Sequence, residues 1–436
     1  MNHKESVLRK IESREVHVGI IGMGYVGLPL AVAFASKGVA VTGFDTSTDK
    51  VEKLQKAHNY IRDIPDDELT RVIDSGRLKA TADYALLTDC DALIICVPTP
   101  LDRFKKPDTS YIESASREIG QNLKSGTFVC LESTTYPTTT ESLILPLIEN
   151  TSGLKHGEDF WLAFSPERVD PGNPGFNTRN TPKVLGALTP DGQEIGEALY
   201  RLAVETVHPV SSPRVAEMVK ILENTYRLVN ISLINELALL CGKMGIDIWE
   251  VIDAARTKPF GFQAFYPGPG IGGHCIPLDP FYLEHIAKKY NFDLSMIHTA
   301  GHIDMMMPHR MTIKITSALN RQKKAINGST ILFLGVAYKP DIDDARESAA
   351  LRIIDETLGK GAIVSYHDPY IPEITTPAGY TLLSVPLTKQ QLQAQDCTVI
   401  TTNHKLFDPD FIFRHSSLIV DLRNLIREKS PKVYKL

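Results

Sequence analysis

A glycine-rich stretch, residues 268–280, contains one cysteine a few positions before an acid. The thiol is Cys275 and the acid is Asp279. Permissive glycine backbone often marks the close approach of a ligand, and a purely structural cysteine has little need of it. We therefore predict that Cys275 is a nucleophile rather than a packed core residue. For His274 we expect a loop contact, because adjacent side chains of an extended loop point apart.

Three polar residues interrupt a long apolar segment that begins near residue 213. Glu217, Lys220 and Asn224 fall at i, i+3 and i+7, so they share one stripe of a helix. A solvated stripe is the simplest interpretation. The alternative is a site in which a desolvated lysine serves as acid, base or oxyanion partner. The pattern alone leaves both interpretations open.

The turn at residues 165–172 follows an apolar strand and carries neighbouring opposite charges. Glu167 is a candidate general base or water-positioning group, and Arg168 is a candidate phosphate or sugar contact. The structural alternative is a surface ion pair, which such neighbours often form.

The clearest element that could position these residues begins at residue 16. An apolar run leads into Gly-Met-Gly-Tyr-Val-Gly, and an acid ends the next apolar run. This order predicts a strand, a glycine turn, a helix and a second strand that bind a dinucleotide: Gly22 makes the turn, Gly24 admits the pyrophosphate and Gly27 allows close packing. The acid, Asp45, should bind a ribose diol and repel a 2′-phosphate, which favours NAD over NADP. The cofactor contacts predicted here are Gly22, Met23, Gly24, Tyr25, Val26, Asp45 and Lys50.

Two later apolar runs lead to Thr99 and Thr134. Because the carboxyl ends of parallel strands supply ligands in a doubly wound fold, we expect both threonines to contact the cofactor. Just beyond, Thr138 and Glu141 have the spacing of a capping box, which predicts the start of a helix.

The second half of the chain repeats the pattern in altered form. Residues 213–244 predict a helix of about nine turns, which we expect to join two domains and to offer a face for dimerisation. Residues 330–335 then begin another strand, turn and helix, with Asp368 after the next strand and cations in place of the glycines. Lys339 and Arg346 suit phosphate, so we interpret this half as the site of a nucleotide other than the redox cofactor. The predicted fold is α/β, with two Rossmann-like doubly wound domains joined by a long central helix.

Composition excludes several classes of function. The chain has 436 residues, 43% of them hydrophobic, which suits a globular protein of two or three domains. A net charge of −5 offers no basic surplus for nucleic acid. Residues 18–36 are uncharged and nearly long enough to cross a membrane, but their glycines favour a buried turn and helix. The six cysteines form no CxxC pair and no export signal precedes them, so we expect cytosolic thiols, no metal and a cytoplasmic protein, with Cys96 and Cys130 as buried hydrophobes.

Six sequence blocks occur together in a fixed order: GMGYVGLPLA, CVPTP, SPERVDPG, AEMVKILENTYR, PGPGIGGHCIPLDP and YKPDIDDARES. Together they resemble the nucleotide-sugar 6-dehydrogenases of the UDP-glucose/GDP-mannose dehydrogenase family, from Val16 to about Arg427. The domains expected on this basis are a helical extension at 1–15, an NAD-binding Rossmann domain at 16–210, a central helical and dimerisation domain with the cysteine loop at 211–320, and a UDP-sugar-binding Rossmann-like domain at 321–436.

The resemblance implies two successive oxidations of a sugar C6 hydroxyl to a carboxylate, each passing hydride to NAD. Cys275 would attack the intermediate aldehyde to form a thiohemiacetal, which is then oxidised to a thioester. Lys220 and Asn224 would stabilise negative charge on oxygen, while Glu167, Asp279 and Thr134 would orient water. The substrate contacts implied are Glu167, Arg168, Val169, Lys220, Asn224, Arg227, Phe265, Tyr266, Gly270, Lys339 and Arg346.

Two departures within the blocks bear on the sugar. Members that act on UDP-glucose have Pro-Glu-Phe-Leu where this chain has Arg168 and Val169 after the glutamate, and a lysine where it has Leu278. The blocks are most similar to the UDP-N-acetylglucosamine 6-dehydrogenases of bacterial surface-polysaccharide pathways. UDP-N-acetylmannosamine remains an alternative, because it differs at one stereocentre and an apolar pocket separates near-isosteres by only about 1–3 kcal/mol. UDP-glucose is a further alternative. A homodimer or a higher homo-oligomer is expected.

Overall fold

The computed structural model describes residues 2–61, 63–100, 107–170, 173, 175–273 and 276–436. The chain divides into two compact units. The first unit comprises residues up to 223 together with 281–291, and the second comprises residues 224–280 and 292–436.

The described residues of the first unit form eight strands: β1 (His17–Ile21), β2 (Ala40–Phe44), β3 (Leu78–Thr81), β4 (Ala92–Ile95), β5 (Thr127–Leu131), β6 (Phe160–Phe164), β7 (Lys183–Ala187) and β8 (Val207–Val210). They form one sheet in the order β3-β2-β1-β4-β5-β6-β7-β8. Neighbouring strands are parallel except β6 and β7, which are antiparallel. The strand order reverses at β1, which lies between β2 and β4, and such sheets bind ligands beyond the carboxyl ends of the strands at this point.

Helices pack against this sheet because its strands are apolar on both faces. The helices are α1 (His3–Glu12), α2 (Gly27–Ser36), α3 (Thr48–Gln55), α4 (Asp66–Asp74), α5 (Ser110–Asn122), α6 (Leu145–Ser152) and α7 (Pro190–Tyr200). Successive residues of a strand point to opposite faces, so Phe160 and Trp161 enter two different buried clusters. Both faces are covered, as a parallel sheet requires.

A single long helix, α8 (Pro213–Met244), follows β8. It spans 32 residues, which confirms the helix predicted at 213–244. The division between the two units falls within α8, after Glu223.

The capping box predicted at Thr138 and Glu141 is wrong. Thr138 has a φ of +90°, and the helix begins with a π-helical turn at Thr140–Ile144. The cap comes instead from α8: the Glu217 carboxylate accepts hydrogen bonds from Thr138 N (2.6 Å), Thr140 N (2.9 Å) and Thr140 Oγ1 (2.7 Å). Glu141 pairs with Arg214. A carboxylate distant in sequence satisfies three donors at once, which local spacing cannot reveal.

The second unit repeats the layered arrangement on a smaller scale. Its helices are α9 (Ile248–Ala255), α11 (Ser295–Arg321), α12 (Ala349–Gly359), α13 (Lys389–Gln393) and α14 (Pro409–His415), and α10 (Asp279–Ala287) begins in it. Its strands are β9 (Thr330–Leu334), β10 (Ile363–His367), β11 (Glu373–Thr375), β12 (Thr381–Leu383), β13 (Cys397–Ile400), β14 (Ile419–Asp421) and β15 (Val433–Lys435). Five of them form a parallel sheet in the order β10-β9-β13-β14-β15, so a second reversal occurs at β9. The predicted α/β class with two parallel-strand sheets is confirmed.

Four of the described cysteines, Cys90, Cys96, Cys130 and Cys397, are buried, and Cys241 is half-buried. Desolvation raises the pKa of all four buried thiols, so they are unreactive members of the core. His274 and Cys275 lie outside the described residues.

None of the helices among the described residues is both long and apolar enough to span a membrane.

Candidate functional site

The glycine turn of the first unit connects β1 to α2. Gly22 has a φ of +96°, and a Cβ there would lie 2.6 Å from the carbonyl oxygen of Cys96. A Cβ on Gly27 would clash with the carbonyl oxygen of Gly22. At Gly24, by contrast, a Cβ would have no atom within 4 Å, so this backbone is open to an approaching group. Beside it, Tyr25 is 50% exposed and Val26 precedes the first residue of α2.

Asp45 follows β2 and is tied to the glycine turn. Its carboxylate accepts hydrogen bonds from Met23 N (2.9 Å), Ser47 N (2.9 Å) and Lys50 Nζ (3.1 Å). The residue is buried, whereas the Lys50 side chain is 39% exposed. The Tyr60 hydroxyl donates a hydrogen bond to Met23 O (2.7 Å) and so fixes the same turn. The sequence analysis did not identify this residue.

The two threonines predicted at strand ends lie beyond β4 and β5. The carbonyl oxygen of Thr99 accepts a hydrogen bond from the Tyr282 hydroxyl. Thr134 is half-buried, and its neighbour Ser133 donates from Oγ to Val97 O (2.7 Å). The Ser133 bond ties the ends of β4 and β5 together on the side of the sheet where the glycine turn lies, and the Tyr282 bond ties the segment after β4 to α10.

The polar residues of α8 are buried, so the solvated stripe is excluded. Lys220 is 8% exposed, and its Nζ donates to the carbonyl oxygen of Glu167 (2.6 Å). The Glu167 carboxylate accepts from the backbone N–H groups of Arg168 (2.9 Å) and Val169 (2.7 Å), which fixes the turn after β6. An ammonium and a carboxylate are thereby held at the carboxyl end of that strand.

Arg168 forms an ion pair, but with Glu223 on α8 and not with its neighbour Glu167, so the neighbour pair considered from the sequence is wrong. Its guanidinium contacts the Glu223 carboxylate, with Nη2 to Oε1 at 2.5 Å, and donates to Pro182 O (2.7 Å). Its side chain is 27% exposed. A substrate phosphate or sugar would have to compete with Glu223 for this guanidinium.

A buried ionic group near Glu167 was missed from the sequence. Lys183 Nζ lies 2.8 Å from Glu132 Oε2 and 3.8 Å from Glu167 Oε2. The Tyr200 hydroxyl donates to Glu132 Oε1 (2.6 Å). Desolvation opposes the charge on Lys183, but the two carboxylates outweigh it and raise the pKa of the ammonium. The sequence did contain a signal for this group. Glu132 directly follows an apolar strand, and Lys183 is the first residue of another.

In the second unit, Asn224 and Asp279 form a buried pair. Asn224 Nδ2 donates to Asp279 Oδ2 (2.5 Å), and both residues are less than 5% exposed, at 4% and 3%. Asp279 is the first residue of α10, where a carboxylate is favoured by the unpaired N–H groups of the helix.

The glycine-rich loop before Cys275 packs against protein. A Cβ on Gly273, whose φ is +86°, would lie 2.8 Å from the Tyr338 ring, and one on Gly268 would clash with the Arg423 guanidinium. Gly270 has a φ of +137°. The backbone is also anchored, with Gly268 N donating to Asn235 Oδ1 (2.9 Å). Close packing therefore explains why glycine is needed at positions 268 and 273, so these glycines do not by themselves indicate a ligand beside Cys275.

Asp368 occupies the position in the second sheet that Asp45 occupies in the first. Its carboxylate accepts hydrogen bonds from Val336 N (2.7 Å), Tyr370 N (2.9 Å) and His404 Nε2 (3.0 Å). Asp368 and His404 are both buried. Asp368 accepts five internal hydrogen bonds, whereas Asp45 accepts three, so Asp368 has less capacity left for a ribose.

Three cations border the second sheet. Lys339 is half-buried. Arg346 is exposed, and its Nε and Nη2 donate hydrogen bonds to Asp344 Oδ2 at 2.9 and 2.6 Å. Arg423, which the sequence analysis missed, follows β14, donates from Nε to Thr401 O (3.0 Å) and lines a small cavity with the glycine loop. Desolvation lowers the pKa of Arg423 to about 10, so it stays charged at neutral pH.

The aromatic residues predicted to enclose a base have partners within the second unit. Tyr266 stacks on Trp249, with centroids 5.8 Å apart, and it is 39% exposed. Phe265 meets the Tyr226 ring edge-on at 5.7 Å. Arg227 lies exposed on α8.

Among the described residues, no group of three or more histidine, cysteine, aspartate or glutamate side chains could hold a metal ion.

Family models match three successive parts of the chain. They are the NAD binding domain of the UDP-glucose/GDP-mannose dehydrogenase family at residues 16–204, its central domain at 214–305 and its UDP binding domain at 332–428. The chain belongs to the UDP-glucose/GDP-mannose dehydrogenase family. It is an NAD-dependent nucleotide-sugar dehydrogenase.

Relatives of this dehydrogenase act on different sugars, according to their names. A UDP-N-acetyl-D-glucosamine 6-dehydrogenase of Pseudomonas aeruginosa is 35% identical, over 82% of this chain and 84% of its own. A UDP-N-acetyl-D-mannosamine dehydrogenase of Pyrococcus horikoshii is 34% identical, over 95% and 96%. The solved structure of UDP-D-ManNAc dehydrogenase from Pyrococcus horikoshii superposes with a TM-score of 0.87, at 32% identity, covering 96% of this chain and 99% of its own.

The first unit of the dehydrogenase fits NAD. The tight turn at Gly22 and the open backbone at Gly24 leave room for a pyrophosphate at the start of α2, and Asp45 has oxygens for a ribose diol. The residues that would hold the cofactor are those of the turn with Asp45 and Lys50.

Proposed function

We propose that the dehydrogenase oxidises C6 of UDP-N-acetyl-D-glucosamine twice and releases UDP-N-acetyl-D-glucosaminuronic acid, in the cytoplasm, for surface-polysaccharide biosynthesis. The observation that carries this proposal is the hydrogen bond from Lys220 Nζ to Glu167 O, which fixes a buried ammonium at the carboxyl end of β6. An alcohol oxidation needs a group that accepts or stabilises the hydroxyl proton and charge, and a desolvated lysine suits that task.

The first oxidation takes the C6 hydroxyl to an aldehyde. NAD, when bound, would supply the hydride acceptor for each oxidation, so two NAD would be consumed per sugar. Lys220 and Asn224 would each donate a hydrogen bond to the oxygen as negative charge develops, and the hydroxyl proton would pass to solvent. Asn224 is held for this by its bond to Asp279.

The second oxidation proceeds through Cys275. The thiolate adds to the aldehyde carbon to form a thiohemiacetal, and loss of hydride from that carbon leaves a thioester. Water then displaces the thiolate and supplies the second carboxylate oxygen. Glu167 accepts a proton from this water, with Thr134 and Asp279 orienting it.

The nucleotide is proposed to bind the second unit. Arg423 and Lys339 would contact the diphosphate, joined by Arg346 if its guanidinium leaves Asp344. The Phe265–Tyr266 segment and Gly270 would border the uridine, and Arg227, Arg168 and Val169 would complete the sugar contacts. In this proposal the second unit binds the nucleotide through its cations. It does not need a free carboxylate, and Asp368 already accepts internal hydrogen bonds.

UDP-N-acetyl-D-mannosamine is the second candidate. The relative named for that substrate covers 95% of this chain at nearly the same identity as the relative named for the gluco sugar. The two sugars differ at one stereocentre, which a pocket distinguishes weakly. UDP-glucose is the third candidate.

Purified protein mixed with NAD and each UDP- or GDP-sugar in turn tests the proposal. We expect the highest rate with UDP-N-acetyl-D-glucosamine, two NADH per sugar, and a product heavier than the substrate by the exchange of two hydrogens for one oxygen. A faster reaction with the manno sugar or UDP-glucose would replace the substrate. One NADH per sugar would contradict the two-step reaction.

We also propose that α8 forms a homodimer interface. Within the second unit it exposes a row of apolar side chains at helical spacing: Tyr226 (48% exposed), Leu233 (48%), Leu237 (38%), Leu240 (51%) and Met244 (62%). Such a row on a helix is typical of an interface between copies.

A further inference from the structure

We propose that Glu217 is a positioning residue whose carboxylate docks the 133–140 segment onto α8 and thereby fixes Thr134 for the hydrolytic step. This inference rests on the proposed function, in which Thr134 orients the water that releases the acid. Glu217 itself contacts neither water nor substrate in this scheme.

The 133–140 segment follows β5 and is anchored at both of its ends. At its start, Ser133 Oγ donates a hydrogen bond to Val97 O (2.7 Å), in the chain that follows β4. At its other end, the segment is held by Glu217 of α8. Thr134 is half-buried and lies between the two anchors, so its position depends on both.

The Glu217 carboxylate uses both of its oxygens as acceptors. Oε2 accepts from Thr138 N (2.6 Å), and Oε1 accepts from Thr140 N (2.9 Å) and Thr140 Oγ1 (2.7 Å). Glu217 is fully buried. An ionised carboxylate carries no donor, whereas a glutamine amide of the same size would turn an N–H group toward one of these donors. The three donors therefore favour an acid over an amide at this position.

The backbone that Glu217 holds adopts unusual conformations. Thr138 is β-branched and has a φ of +90°, which such a residue rarely adopts, and Thr140–Ile144 form a π-helical turn. Conformations of this kind persist only where the surroundings impose them, and they are frequent at functional sites. The bonds to Glu217 supply the constraint, so the segment should relax when they are lost.

Hydrogen bonds inside the segment connect its two ends. Thr139 Oγ1 donates to Tyr136 O (2.8 Å), and it lies 2.7 Å from Thr135 Oγ1. Because these bonds join consecutive residues into one compact turn, a displacement at residue 138 is transmitted to Thr134.

The same helix fixes a second strand end. Lys220 follows Glu217 at i+3, so the two side chains share one stripe of α8. Lys220 Nζ donates to Glu167 O, in the turn after β6 (2.6 Å). The strands β5 and β6 are parallel neighbours. α8 therefore holds the chain after both strands, through Glu217 for one and through Lys220 for the other.

Hydrogen exchange of backbone amides, followed by mass spectrometry, tests the docking. Desolvation raises the pKa of Glu217 to about 7, so the measurement is made at about pH 8, where the carboxylate is ionised. In Glu217→Gln the amides of Thr138 and Thr140 should exchange at least about tenfold faster than in the wild type, while those of β5 stay unchanged. Unchanged exchange at both threonines, or an equal acceleration in β5, would overturn the proposal.

Glu141→Gln is the matched control. It neutralises an acid of the same turn that bonds Arg214 instead of the segment backbone, so exchange at Thr138 should not change. If Glu217→Gln does not fold, Thr140→Val removes one of the three donors at nearly constant volume. It should accelerate exchange at Thr138 in the same way, and no acceleration would contradict the docking.

The consequence for catalysis is measured with the sugar that the wild type oxidises. Glu217→Gln should release acid at least about tenfold more slowly and should accumulate the Cys275 thioester, because Thr134 no longer orients the water. Intact-mass spectrometry of quenched samples detects this intermediate. Slower release without the thioester would mean that Glu217 is only structural, and the proposal would be wrong. If the wild type reduces NAD with no nucleotide sugar, the proposed function fails, whereas the exchange experiment still decides the docking.

Discussion

At the scale of single residues, the two acids that end corresponding strands illustrate how context decides chemistry. Asp45 and Asp368 follow the second strand of each Rossmann-like half, yet their oxygens meet different donors. Asp45 contacts a half-exposed lysine and the open glycine turn. Asp368 is satisfied by backbone N–H groups and a buried histidine. Both acids hold their own loops, but Asp45 accepts three internal hydrogen bonds and Asp368 accepts five, so Asp45 has more capacity left for a ligand.

Asp45 should set the cofactor preference. We expect kcat/KM for NAD to exceed that for NADP at least tenfold, because the carboxylate repels a 2′-phosphate. Asp45→Gly removes that repulsion and leaves Lys50, so it should lower the ratio of kcat/KM for NAD to kcat/KM for NADP. Steady-state kinetics with both cofactors measure this ratio. Comparable rates in the wild type would show that Asp45 does not discriminate.

Cys275 should be required for formation of the carboxylate product but not for binding of NAD. Cys275→Ser is expected to lower carboxylate formation at least a hundredfold, since a hydroxyl is a far poorer nucleophile than a thiolate at neutral pH. NAD binding, followed by titration, should stay within about twofold. Cys241→Ser, which changes a half-buried thiol in α8, is the matched control. Full turnover of Cys275→Ser would refute covalent catalysis.

At the scale of elements, α8 performs several tasks along its length. Its first turns cap the π-helical start of α6 through Glu217, the following turns carry the buried Lys220 and Asn224, and its last turns expose apolar side chains. A helix of 32 residues can do this because its stripes face different neighbours.

The Glu217 cap should make stability depend on pH. Desolvation, partly offset by hydrogen bonds from Thr140 and Thr138, raises the pKa of Glu217 to about 7 from its ordinary 4.5. A raised pKa means that the folded protein favours the neutral acid, so this contribution is present below about pH 4.5 and is lost as the pH rises through about 7. The loss amounts to at most about 3 kcal/mol.

Thermal unfolding of the wild type and Glu217→Gln between pH 5 and 8 measures this effect. Glutamine cannot titrate, so the wild type should lose stability relative to the variant as the pH rises. A constant offset between the two proteins is expected from the lost hydrogen bonds and carries no information on the titration. Parallel profiles would contradict the raised pKa.

The exposed row of α8 predicts the oligomeric state. Leu237→Glu places a charge at the centre of the row and should convert a dimer into monomers, because a buried unpaired carboxylate is costly. Leu406→Glu alters an equally suitable surface leucine, 67% exposed, in another part of the second unit and should leave the dimer intact. Light scattering after gel filtration distinguishes them. If the wild type is a monomer, the proposed homodimer through α8 is wrong.

At the scale of the whole molecule, two related sheets divide the binding of two nucleotides. The first sheet has a glycine turn with open backbone, and the second has cations and a glycine loop packed against its own side chains. Backbone N–H groups suit a pyrophosphate that lies close to the chain, whereas guanidinium groups reach a phosphate held farther away.

Variants of the second unit should separate the two nucleotides. Lys339→Ala and Arg423→Met are each expected to weaken UDP binding about tenfold or more while leaving NAD binding within about twofold. Arg346→Ala should have a smaller effect, because its guanidinium is exposed and already paired with Asp344. Calorimetric titration with UDP and with NAD gives both constants. Equal losses for both ligands would mean that the nucleotide sites are misassigned.

The sequence by itself determined the α/β class, the glycine turn and the helix at 213–244, because these depend on local periodicity and on backbone conformations that few residues allow. The Thr138–Glu141 cap failed for the opposite reason, since Glu217 is distant in sequence and adjacent only after folding. The tertiary structure alone decided that Lys183 meets Glu132 and Glu167, that Arg423 borders the glycine loop, and that Asp368 is occupied. Each of those outcomes depends on strand direction and on which strand ends become neighbours, and no spacing along the chain encodes them.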